Sequence, residues 1–125
     1  MIQYTSYCWV SPMKIDKELI AASATPLILS VLLEGESYGY EIIKKVKEAS
    51  DATIDWSEGM VYPALRRLED QGLLEARWVT PDSGRRRRYY SLTPKGRKAL
   101  AAERQAWLSV HSTLTRLWRP HPWPA

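Results

Sequence analysis

The chain has 125 residues and a net charge of +4, with 45% apolar and 26% charged side chains, the proportions of one globular domain with room for a helical extension. A single cysteine, Cys8, and two histidines, His111 and His121, exclude an internal disulfide and argue against a zinc site built by the protein. The longest apolar run, Ala24 to Leu33, is broken by Thr25, Pro26 and Ser30 and is too short to span a bilayer; no signal-peptide pattern opens the chain, so a cytoplasmic location is expected.

Met1 to Pro12 is uncharged and has no helical period. Residues 1–15 read as a disordered arm, with Met1 to Pro12 alternatively lying ahead of a true start at Met13. Asp16 then caps a helix that runs through Leu19 and Ile20 to Leu32 and Leu33. Pro26 interrupts it: either Thr25 caps a fresh start with Pro26 at the first helical position, or the helix kinks there. Its second half is apolar nearly all round and is expected to be buried on several sides. Gly35 ends it. Ser37 caps a second helix, Tyr38 to Ala49, with Ile42, Ile43, Val46 and Ala49 inward and Lys44, Lys45 and Lys47 outward. Asp51 to Trp56 is a linker.

Ser57 opens a third helix. Val61, Leu65 and Leu68 form its inner stripe, Tyr62, Pro63, Arg66 and Arg67 face solvent, and Gly72 is the terminal cap. Gly59 and Pro63 weaken its first turn. Leu73 to Thr93 reads as two strands around the turn Pro81-Asp82-Ser83-Gly84, with Arg85 to Arg88 where the second strand leaves the tip. In that strand Arg88, Tyr90 and Leu92 share one face, and Arg87, Tyr89 and Ser91 the other. Thr93-Pro94 caps a last helix, 94–118, with a sparse stripe of Leu100, Glu103, Trp107, Val110, Leu114 and Leu117. A long helix at the end of a small domain has little of its own chain to bury that stripe against, so a second copy is the expected partner. The tail, 119–125, should be irregular.

Charge is unevenly spread. Residues 1–56 hold five basic and eight acidic side chains, a net of −3; residues 57–98 hold ten and five, a net of +5; residues 99–125 hold three and one, a net of +2. Four adjacent arginines repel one another by up to ~1 kcal/mol per close pair in water, and a polyanion relieves that repulsion. A basic helix followed by a basic hairpin is the layout of a winged helix that holds DNA. A merely solvated charged face is the plain alternative.

Three motifs in register sharpen this reading: Tyr38-Gly39-Tyr40-Glu41-Ile42; Val61-Tyr62-Pro63-Ala64-Leu65-Arg66-Arg67-Leu68-Glu69 with Gly72-Leu73-Leu74; and Arg88-Tyr89-Tyr90-Ser91-Leu92-Thr93-Pro94-Lys95-Gly96. From about Leu19 to Leu117 the chain resembles the PadR family of bacterial transcriptional regulators, in its short form with one C-terminal dimerisation helix. The resemblance implies a mainly α fold with a small β-hairpin wing: a winged helix-turn-helix over 16–93 and a dimerisation helix over 94–118. It implies a homodimeric repressor whose third helix enters the major groove of double-stranded DNA, whose wing reaches the flanking backbone or minor groove, and whose operator is pseudo-palindromic. Where the family often has Gly-Thr-Leu-Tyr, this chain has Gly59-Met60-Val61-Tyr62, so its operator need not match that of relatives.

Tyr62, Arg66 and Arg67 are the groove candidates, since arginine pairs bidentately with guanine and tyrosine reaches a phosphate or a thymine methyl. Pairing of either arginine with Glu69 or Asp70 is the alternative. Arg85, Arg86, Arg87 and Arg88 are assigned to phosphates or the minor groove, although Arg88, nearest the sheet, could pair with an acidic neighbour instead. Lys44 and Lys45 suit backbone contacts. Tyr38 and Tyr40 read more as half-core residues, with Tyr38 kept as a DNA candidate; Tyr89 and Tyr90 read as sheet packing, with Tyr89 the nearer to DNA. Leu100, Trp107, Val110, Leu114 and Leu117 are the dimerisation candidates. The resemblance adds a second role for Trp107, as one of a pair of indoles that hold a flat aromatic effector, with His111 and Trp118 beside it. No nucleophile–histidine–carboxylate pattern, phosphate-binding glycine loop or HExxH helix is present, so neither an enzyme nor a cofactor is expected. From a different class, a winged-helix module docking an acidic protein partner is the competing hypothesis.

Overall fold

The structure is a computed structural model that describes residues 15–121. Asp16 starts the first helix, α1 (Lys17–Leu33), by accepting a hydrogen bond from the Glu18 amide at 3.2 Å. The sequence left open a fresh start at Thr25 or a kink at Pro26; there is no fresh start, and α1 runs through Pro26 as one helix. A proline inside a helix costs about 3 kcal/mol. Against that cost, α1 touches α2, α3, α4 and the sheet and buries Ile20, Ile28, Leu29 and Leu32, each worth about 1.5–3 kcal/mol. Packing wins. Ile15, assigned above to the arm, belongs to the folded part: it packs against the core and its amide donates to the Thr53 carbonyl at 3.1 Å. The remainder of that arm and residues 122–125 of the tail lie outside the described residues.

Ser37 does not cap a helix. Ser37 and Tyr38 form a short strand, β1, and the second helix, α2 (Gly39–Ala49), begins one residue later than expected without a side-chain cap. The reason is tertiary: Ser37 pairs with Tyr90 and Tyr38 with Tyr89. Ser37 is fully buried, and its hydroxyl accepts from Lys45 Nζ at 3.5 Å. In α2, Ile42 and Val46 are buried and Ile43 is half-buried, but Ala49, placed on the inner stripe above, is exposed. Helix α3 (Glu58–Asp70) begins after Ser57 as its sequence implies and buries Val61, Ala64, Leu65 and Leu68.

Strands β2 (Leu74–Val79) and β3 (Arg87–Leu92) pair antiparallel from Leu74 with Leu92 to Val79 with Arg87, giving the sheet order β1-β3-β2. Residues 80–86 form the tip. The last helix, α4 (Pro94–Trp118), is capped by Thr93, whose hydroxyl accepts from the Gly96 amide at 3.0 Å and donates to the Gly72 carbonyl at 2.7 Å. Lys95 Nζ reaches the Gln71 carbonyl at 2.9 Å, and the Thr93 amide donates to Leu73 O at 3.1 Å. Gly72 turns the chain in the left-handed region, φ +79°. The Thr93-Pro94-Lys95-Gly96 motif thus ties the start of α4 to the end of α3.

Leu100, expected in an intermolecular stripe, is instead buried in the chain's own core. Beyond it no described residue of α4 is buried, and Leu108, Val110, Leu114, Leu117 and Trp118 are exposed. Arg119 to His121 leave the helix in a turn.

Candidate nucleic-acid interface

Alternation along the hairpin sorts the arginines. Arg88 lies on the core side of the sheet, opposite Trp78, and its guanidinium donates to Glu69 Oε2 on α3 at 2.7 Å. It also stands 5.7 Å from the Trp78 ring centroid and 5.9 Å from that of Tyr90. The acidic pairing foreseen as its alternative is the one present, so Arg88 ties the wing to α3 and is not a free cation for phosphate. Arg86, two residues nearer the tip, packs over the same indole at 4.6 Å. Arg87 turns to the opposite face and covers the Tyr38 ring at 4.5 Å. Tyr38 is half-buried and meets Tyr89 edge-on at 5.2 Å. Tyr90 is buried in the core.

The wing, the first turn of α2 and the first half of α3 enclose a cleft of about 620 Å³. Tyr38, Gly39, Tyr40, Glu58, Tyr62, Trp78 and Arg85 to Arg88 line it. Tyr40 is exposed there and is not the half-core residue expected. The Tyr62 ring lies across Gly39, where a side chain would collide with it. Burial, helped by the nearby Glu58 carboxylate, holds the Tyr62 phenol above its ordinary pKa, while the charge of Arg85 acts in the other direction; the hydroxyl therefore stays a donor at neutral pH. Burial likewise raises Tyr90. Arg66 and Arg67 are exposed one turn further along α3, with Arg66 on the Tyr62 side by helical spacing. Lys44 is exposed on α2, whereas Lys45 bonds Ser37 and lines a separate α1–α2 groove of about 750 Å³.

The positions offered for an effector fall elsewhere. Trp107 and His111 line a groove of about 730 Å³ between α1 and α4, with Pro26, Leu33, Leu100 and Leu108. Trp107 is half-buried, and its indole N–H donates to Glu103 Oε1 at 3.3 Å within the helix. Trp118 is not among the residues that line this groove. Trp78, central to the wing, escaped sequence reasoning: one tryptophan in an alternating strand carries no signal of a cationic partner. The Arg77–Glu36 ion pair, which fastens β2 to the loop before β1, was equally silent.

A helix with an exposed basic edge, joined to a three-stranded wing with four consecutive arginines running from its tip into β3, defines a winged-helix DNA-binding protein. Residues 28–102 match the Transcriptional regulator PadR-like family, and the chain belongs to that family. It is therefore a DNA-binding transcriptional regulator and not an enzyme. Among solved structures, it is similar to a transcriptional regulator from Clostridium thermocellum (TM-score 0.74, 31% identity, 82% of this chain and 96% of that one). It is also similar to a PadR-like transcriptional regulator from Bacillus cereus (TM-score 0.70, 30% identity, 81% and 96%). It is 29% identical over 87 residues to the negative transcriptional regulator PadR of Bacillus subtilis, a match covering 70% of this chain and 46% of that protein. Among the described residues, no helix is long and apolar enough to cross a membrane.

Proposed function

We propose that the protein is a cytoplasmic homodimeric repressor of a pseudo-palindromic operator. The basic cleft between wing and α3 carries this reading. Arg66 and Arg67 enter the major groove; Arg85, Arg86 and Arg87 neutralise flanking phosphates; Tyr62 donates its hydroxyl to a phosphate; and Lys44 adds a backbone contact. Arg88 stays with Glu69. The exposed apolar side chains of α4, Val110, Leu114 and Leu117 with Leu108, pack against a second copy. Repression suits a family in which one similar protein is called a negative regulator. The α1–α4 groove, with Trp107 and His111, is the place for a flat aromatic effector that would release DNA.

Fluorescence-anisotropy titration onto the protein's own upstream DNA and onto a scrambled duplex, at several salt concentrations, tests this. Operator reading requires tight binding to the native duplex alone, with log K falling by about 0.9 per phosphate neutralised for each unit of log salt. Weak, equal binding to both would favour a module that docks an acidic protein.

A further inference from the structure

The even-numbered face of β2 runs from core to solvent. Leu74 is buried, Ala76 half-buried and Trp78 54% exposed, so the largest side chain of the strand stands where the sheet has outrun its core. Exposed indole is usually costly. Here its two neighbours are cations: Arg86 lies over the ring at 4.6 Å and Arg88 at 5.7 Å. The two guanidiniums differ in what else holds them. Arg88 is fixed by Glu69, whereas Arg86 takes part in no ion pair among the described residues, and the Trp78 face is what orients it.

Arginine has a long side chain with many rotamers, and a cation at a loop tip loses that freedom when it seizes a phosphate. A ring that already holds the guanidinium removes part of the loss before DNA arrives, and a cation–π contact consumes none of the guanidinium's N–H donors. Arg88, locked from the α3 side, sets the indole in register with the recognition helix.

We infer that Trp78 is a positioning residue of the wing, which holds Arg86 ready for a DNA phosphate. This rests on the reading of the wing as a phosphate clamp. The test is a double-mutant cycle in the full-length protein. Wild type, Trp78→Ala, Arg86→Ala and the double variant are titrated onto a fluorescein-labelled mixed-sequence duplex of about 30 base pairs across a range of salt. The expected result is that Trp78→Ala weakens binding about threefold to tenfold while leaving the salt slope unchanged. Arg86→Ala should lower the slope by about 0.9, and in its background the Trp78 substitution should cost less than twofold. Trp78→Phe, which keeps an aromatic face and the fold, should recover part of the loss. Equal losses from Trp78→Ala in both backgrounds, or no loss in either, overturn the inference while leaving the clamp in place. Unaltered binding by Arg86→Ala removes Arg86 from the clamp and overturns the inference with it.

Discussion

The ring of Tyr62 occupies the space that a side chain on Gly39 would need: a Cβ there would stand 2.6 Å from the ring's Cε1 and Cζ. The first turn of α2 and the exposed face of α3 are fitted to each other through this one missing methyl group. Gly39→Ala forces the ring away, and since the ring is the free end of a side chain, the fold can yield. The expected outcome is a stability loss of about 1 kcal/mol, the low end for overpacking, but a clear loss of DNA affinity. Thermal denaturation and anisotropy separate the two, and in a Tyr62→Ala background the same substitution should no longer affect binding.

Gly96 has no such freedom. A Cβ there would lie 2.1 Å from the Leu73 carbonyl oxygen, which is backbone. Gly96→Ala should cost at least about 2–3 kcal/mol, as overpacking against an unyielding neighbour does. Gly59, inside α3, meets nothing nearer than the Ser57 hydroxyl at 3.7 Å; Gly59→Ala should stabilise by about 0.4–1 kcal/mol. Opposite shifts in Tm from one chemical change would verify both environments.

The two cross-element ion pairs should respond unequally. Arg88 Nε is buried without an acceptor among the described residues, so Glu69→Ala strips the guanidinium of its remaining carboxylate and should cost about 1–2 kcal/mol. Glu36 and Arg77 are paired at the surface, where screening leaves such pairs little net effect. Urea unfolding of Glu69→Ala and Glu36→Ala would rank them; equal losses would show that the Arg88 contact is no better sheltered.

Acid should find Glu36. Its hydrogen bond from Arg77 holds the carboxyl below the ordinary value of 4.5, so folding favours the ionised form. That contribution is complete above the unfolded chain's value and disappears as pH falls through the lowered folded one. The Tm gap between wild type and Glu36→Gln should therefore be constant near neutrality, close as pH drops below 4.5, and shrink in high salt.

Helix α4 offers the test of assembly. Leu114→Glu with Leu117→Glu places charge on an exposed apolar face outside the chain's own core, so the Tm of the monomer should barely move. Sedimentation velocity should show a dimer for the wild type and a monomer for the variant; a dimer in both would place the contact elsewhere.

Element by element, what the sequence revealed depended on range. The Asp16 and Thr93 caps, the inner stripe of α3 and the turn at Pro81 to Gly84 rest on neighbours within a few residues, and each was legible, whereas Leu33, in the half of α1 expected to be buried on several sides, is exposed. The strand Ser37–Tyr38 was not, because two residues make no alternating pattern and a serine before a helix reads as a cap; its partner lies more than fifty positions away in Tyr90. Leu100 shares a helical stripe with Leu114 and Leu117, and periodicity reports a face without saying which surface covers it. Local reasoning found the four arginines of the wing but not what divides them, since Glu69, Tyr38 and Trp78 reach them only through tertiary structure.

The tie between Thr93, Gly96 and the end of α3 makes the long helix a lever. At 1.5 Å per residue, the 25 residues of α4 extend about 37 Å from a fulcrum fixed to the end of α3. In a dimer joined near the far end of α4, a tilt of about 10° would carry each α3 roughly 6 Å, close to two base-pair steps. The angle at which two such levers cross would then set the operator's half-site spacing, a geometric property that substitutions far from any base could retune.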